Sequence, residues 1–95
     1  METQEAYKQK MAAQLKEWNA QIGLLEAELE TATADMKVKR ISELDALRAK
    51  HRVASEKLKE VGRASGEAWT VVKVSADKIW NELKDAMNDI HSKFR

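Results

Sequence analysis

The sequence predicts an all-α fold, an elongated helical hairpin that associates with further copies of itself. The 95-residue chain has no proline and three glycines, and charged residues make up 35% of it. Such a composition is typical of long helices and coiled coils. Apolar residues also recur at alternating steps of three and four, which is the heptad spacing of a helical seam. A chain of this length forms one small core, so residues 1–95 are expected to be a single helical domain.

The first helix is predicted over about 3–61. Its first half carries six large apolar residues at heptad spacing, called the seam here: Met11, Leu15, Trp18, Ile22, Leu25 and Leu29. After Met36 the phase slips, and the spacing resumes at Leu47 as a stutter. One continuous helix is favoured because residues 24–61 contain no glycine, proline or asparagine. The alternative is a three-helix bundle with a loop near 31–35, where two threonines and an aspartate interrupt the pattern.

The stretch Val61–Gly66 holds two of the three glycines and predicts a reversal over 62–65. We expect Gly62 just past the end of the first helix, since glycine adopts the left-handed conformation there without a Cβ penalty. Ser65 is expected to cap a second helix, about 66–93, with Gly66 in its first turn. This helix is strongly amphipathic. Its apolar face comprises Trp69, Val72, Ile79, Trp80, Leu83, Met87, Ile90 and Phe94.

The unequal lengths of the two helices predict self-association. Folded back, the shorter helix covers only about 33–61 and leaves the seam exposed, which is rare for so long an apolar stripe. Residues 1–30 hold six acids and three bases, hence a charge of −3, whereas 31–65 hold five acids and nine bases, hence +4. An antiparallel homo-oligomer, with a dimer favoured, would pair these segments. Another helical protein could cover the seam instead.

No pattern in the sequence points to catalysis. The chain has no cysteine, so thiol chemistry and thiolate metal sites are excluded. The Glu-x-x-His pattern of carboxylate-bridged metal bundles does not precede His51 or His91. The glycines at 62 and 66 lack the lysine of a phosphate-binding loop. We therefore expect a structural or interaction module rather than an enzyme, with no cofactor. The polar, acidic start and the lack of a long apolar run predict a cytoplasmic protein.

Two other kinds of partner, nucleic acid and a lipid surface, match parts of the sequence. Basic residues line one flank of the first helix, but Asp45 and Glu56 interrupt them, and the acidic first segment can pair with them. Nucleic acid is therefore disfavoured. A lipid surface is the alternative function, with Trp69, Trp80 and Phe94 at the boundary. Residues 66–95 hold five acids and five bases, so anionic lipid would exert no net attraction.

Several short segments together resemble a known group of proteins. They are Glu5-Ala6-Tyr7, Gln14-Leu15-Lys16-Glu17-Trp18, Ser65-Gly66-Glu67-Ala68-Trp69, Trp80 and Ser92-Lys93-Phe94-Arg95. The chain is similar in these segments to small bacterial proteins described as coiled-coil domain-containing, of unknown function. The resemblance implies helices, and it assigns neither an activity nor site residues.

Overall fold

Three α-helices packed against each other form the described part of the chain, residues 3–93 of a computed structural model. They are α1 (Gln4–Glu30), α2 (Ala34–Arg63) and α3 (Glu67–Lys93). Within residues 3–93 there is no strand, which confirms the all-α prediction. The principal-axis extents are 51 × 19 × 17 Å. Contacts between the start of α1 and the end of α2 show that these two helices run antiparallel.

The predicted continuous helix over about 3–61 is wrong, because the chain leaves the helix between Glu30 and Ala34. Threonine hydroxyls bind the backbone on both sides of this break. The Thr31 hydroxyl donates to the Glu28 carbonyl at 2.9 Å. The Thr33 hydroxyl accepts from the Met36 amide at 3.3 Å, and Thr33 is the N-cap of α2. Such local bonds compete with helix continuation. The break lies inside the loop near 31–35 that the alternative prediction placed there.

The second turn differs in detail from its prediction. Helix α2 continues through Gly62 to Arg63, and the left-handed residue is Gly66, with φ +57°. Helix α2 ends later than predicted because the Gln4 side-chain amide donates to the Val61 and Ala64 carbonyls, each at 2.6 Å. These carbonyls at the end of α2 are therefore satisfied without a left-handed glycine at position 62. In the turn itself, the backbone carbonyl of Ser65 accepts from the Ala68 amide at 3.2 Å.

The core lies along the common axis of the three helices and is made of apolar side chains. The seam of α1 forms one side of it, and each of the six seam residues is at most 9% exposed. Helix α2 contributes four buried residues, which are Leu44, Leu47, Ala54 and Val61. Helix α3 contributes Ala76, Trp80, Leu83, Met87 and Ile90. The seam that was expected to need a second chain is thus covered by α2 and α3 of the same chain.

Alanine substitutions at Gly62 and Gly66 should change the free energy of unfolding in opposite directions. Gly66→Ala should lower the free energy of unfolding by roughly 1–2 kcal/mol, because a side chain at φ +57° is strained. Gly62→Ala should raise it by up to about 1 kcal/mol, because Gly62 lies inside α2. The added Cβ would meet Lys8 Cδ at 3.4 Å, an ordinary contact. Urea unfolding followed by circular dichroism measures both. A destabilised Gly62→Ala beside an unaffected Gly66→Ala would contradict this assignment of the turn.

Candidate interaction surface

The predicted apolar face of α3 packs inward, against α1 and α2. Trp80, Leu83, Met87 and Ile90 are buried, and Trp69, Val72 and Ile79 are half-buried against the same core. Phe94 lies outside the described residues. The Trp18 and Trp80 rings lie 6.1 Å apart between centroids, so the seam and this face meet each other within one chain.

Polar side chains join α1 and α3 at the end of the molecule that holds the second turn. The Tyr7 hydroxyl donates to Asp77 Oδ1 at 2.7 Å, and the Tyr7 ring meets Trp69 edge-on with 5.2 Å between centroids. Further along, the Trp80 indole N–H donates to Gln14 Oε1 at 3.0 Å. Tyrosine and tryptophan bury their rings well when their polar atoms have partners, as they do here. These contacts hold α1 against α3 as far as Trp80.

Beyond the Trp18–Trp80 contact, α1 and α3 leave an open groove of about 550 Å³ between them. This surface is called the α1–α3 groove. Its lining includes three buried apolar side chains, those of Trp18, Leu25 and Met87, which form the floor. The other lining residues are Gln14, Gln21, Leu24 and Glu28 from α1, and Lys84, Asn88 and His91 from α3. The volume lies in the range of pockets that hold small molecules or side chains of a partner.

Leu24 is the apolar member of this lining that faces water, with 67% of its surface exposed. Val71 and Val74 are also exposed, but they lie on the side of α3 turned away from the core. Sequence reasoning missed Leu24 because it falls off the heptad seam beside Leu25. An apolar residue off the seam, without a partner at heptad spacing, was the signal that could have identified it.

One pair of the complementary charges in the first two segments meets inside a single chain. Arg48 of α2 pairs with Glu26 of α1 and also donates to Asn19 Oδ1 at 2.7 Å. His51 lies nearby, half-buried, and its Nε2–H donates to the Leu15 carbonyl at 3.0 Å. The Arg48–Glu26 pair is partly exposed, so it contributes little to stability and mainly favours the antiparallel register. Arg48 is thus one member of the basic flank that meets the acidic helix, in the antiparallel arrangement that the charge pattern favours.

Two further properties concern the described residues alone. Within residues 3–93, no three or more acidic or histidine side chains are grouped so that they could hold a metal ion. In that same part of the chain, every helix is too polar or too short to cross a bilayer.

No protein-family model, curated protein or solved structure matches this chain.

Proposed function

We propose that this protein is a non-enzymatic interaction module that self-associates as a two-fold dimer across the α1–α3 groove. The observation that carries the proposal is Leu24, an exposed apolar side chain at the edge of a groove with an apolar floor. A two-fold interface brings the same patch of two copies together, so it must fit itself. A patch that contains both a projecting leucine and an apolar depression meets this condition, because each Leu24 can enter the groove of the other copy.

The charges on the rim support the same arrangement. Glu28 stands on the α1 side of the groove and Lys84 on the α3 side. When two such patches face each other about a two-fold axis that runs along the groove, the α1 side of one copy faces the α3 side of the other, so the side that carries Glu28 meets the side that carries Lys84. These rim contacts set orientation more than affinity. Burial of each Leu24 contributes about 1–2 kcal/mol, which is small beside the entropic cost of association. We therefore expect a weak, reversible dimer.

This interface uses only part of the seam that the sequence suggested. Trp18 and Leu25 are core residues that also line the groove, whereas the other four seam residues do not line it. The lipid-surface alternative gains no support from Trp80, which is 4% exposed and donates its indole N–H to Gln14. The similarity to small bacterial coiled-coil proteins remains a prediction and is compatible with an interaction module.

The test compares Leu24→Glu with Val71→Glu by sedimentation equilibrium. Both replace an exposed apolar residue by the same charge on a helix, since Leu24 is 67% and Val71 is 72% exposed. Over about 10 µM to 1 mM, a range that suits weak complexes, the parent and Val71→Glu should rise above the monomer mass of 10.8 kDa. Leu24→Glu should stay at the monomer mass, because a buried unpaired carboxylate is costly.

Two outcomes would overturn the proposal. One is a parent that remains a monomer across the whole concentration range. The other is a Leu24→Glu variant that associates as strongly as the parent, which would place the interface elsewhere on the molecule. Far-ultraviolet circular dichroism on each sample checks that the helices are intact.

A further inference from the structure

The turn between α1 and α2 is three residues long, and none of the three has a left-handed backbone. It consists of Thr31, Ala32 and Thr33, without glycine or proline. Thr31 has helical dihedral angles, φ −94° and ψ 0°, and Thr33 already has a helical φ of −65°. Thr33 leaves the helix through its ψ of 160°. A few backbone rotations at Ala32 and Thr33 would therefore join α1 and α2 into one helix.

The contacts that hold α1 in place do not depend on which chain supplies it. Helix α1 contributes seven buried residues to the core. Its polar contacts with the remainder of the molecule include Arg48–Glu26, Tyr7–Asp77 and Trp80–Gln14. An α1 from a second copy could make every one of these contacts in the same geometry. Short connections between packed elements favour such exchange of identical segments.

We propose that two copies of this chain exchange their α1 helices, with Thr31–Thr33 as the hinge. In the exchanged dimer each chain carries one helix over residues 4–63, and the two long helices lie antiparallel. The acidic α1 of one copy then lies against the basic α2 of the other, as Glu26 and Arg48 now do within one chain. A helix of that length spans about 90 Å, against the 51 Å longest extent of the single chain. The inference rests on the proposed self-association of this chain, but it does not require the α1–α3 groove as the interface.

Threonine caps hold the hinge in its folded-back form. The Thr31 hydroxyl binds the Glu28 carbonyl, and the Thr33 hydroxyl binds the Met36 amide. Thr31→Ala with Thr33→Ala removes both bonds and supplies a better helix former at each position. We expect the dimerisation constant to rise at least about tenfold, because two hinges open in each dimer.

Ala34→Pro is the matched variant that should prevent exchange. Ala34 is the first residue of α2, where proline is well tolerated, and Thr33 before it is already extended. In a continuous helix the same proline would clash with the Glu30 carbonyl and lack an amide proton. We therefore expect at least about a hundredfold loss of the exchanged dimer, with the folded monomer unaffected.

The experiment is done in a Leu24→Glu background, so that failure of the groove interface and failure of exchange are distinguishable. Each variant is refolded from urea at about 1 mM, a concentration that favours exchange by mass action. Sedimentation equilibrium gives the mass, and small-angle scattering gives the longest dimension. Leu24→Glu with the two threonine substitutions should give a dimer about 90 Å or more in length. Leu24→Glu with Ala34→Pro should remain a compact monomer of 10.8 kDa.

A monomeric threonine variant under these conditions would overturn the exchange. So would a dimer equally abundant with and without Ala34→Pro, since that dimer could not contain a straight hinge. If the double threonine variant loses its helical circular dichroism, the comparison is made with Thr33→Ala alone in the Leu24→Glu background, with and without Ala34→Pro. Equal dimer fractions in that pair would also overturn the proposal.

Discussion

Ile22→Ala should lower the free energy of unfolding by about 2–5 kcal/mol, the usual cost of truncating a large aliphatic core residue. Ile22 is 0% exposed and lies in the part of α1 that α2 and α3 enclose. The substitution removes three buried carbon atoms and the hydrophobic stabilisation that they contribute. It also leaves a cavity that tightly packed helices close only in part. A small domain has about 5–15 kcal/mol of stability in total. This single change would therefore remove a large fraction of it.

Leu24→Ala is the matched control, two residues along the same helix. Leu24 is 67% exposed, so the same kind of truncation should change stability by no more than about 0.5 kcal/mol. Urea unfolding at low micromolar concentration, followed by circular dichroism, compares the two variants with the parent. Equal effects at both positions would mean that Ile22 does not lie in a closed core. The exposed hairpin predicted from the sequence would give that result for a monomer in which the seam is open.

Trp80→Ala is expected to lower the free energy of unfolding by about 3–5 kcal/mol, because it removes a large buried ring that packs between α1 and α3. Trp80 is 4% exposed and packs against Trp18 with 6.1 Å between ring centroids. Its loss also strands the Gln14 carbonyl oxygen, which accepts the indole N–H at 3.0 Å. An unpaired amide oxygen at this partly buried position adds to the cost of the cavity.

Val74→Ala is the control for Trp80 on the same helix. Val74 is 70% exposed and should tolerate the change within about 0.5 kcal/mol. Differential scanning calorimetry should show a clear fall in melting temperature for Trp80→Ala and almost none for Val74→Ala. If Trp80 instead served a lipid surface, its removal would leave the melting temperature of the lipid-free protein near that of the parent.

The periodic patterns predicted the buried residues well. All six seam residues belong to the core, since steps of three and four place them on one side of a helix whichever partner covers them. The pattern could not identify that partner. Heptad spacing is the same for a helix that packs on its own chain and for one that packs on a second copy, so the seam alone did not predict a closed single chain.

The break at Thr31–Thr33 was the decisive point that sequence reasoning weighed wrongly. Alanine and the charged neighbours are good helix formers, and no glycine or proline marks the turn. The signal was the pair of threonines, whose hydroxyls can cap the backbone on either side. The two caps stabilise the break only slightly by themselves. The break forms in spite of the helix-favouring neighbours because the reversal lets α1 bury its seam. The exposure of Leu24 and the presence of the groove depend on how α1 and α3 pack against each other, and no local sequence pattern predicts that packing.

The two short turns also set the order in which contacts can form as the chain folds. Neighbouring helices are joined by three residues each, so their pairing closes small loops at low entropic cost. Contacts between α1 and α3 join distant residues, such as Tyr7 and Asp77, which are 70 positions apart. Such separations slow folding, whereas local helical pairing proceeds in microseconds to milliseconds. We therefore expect the α1–α3 groove to form after the two local helix pairs, and a growing chain can acquire it only after α3 has been made.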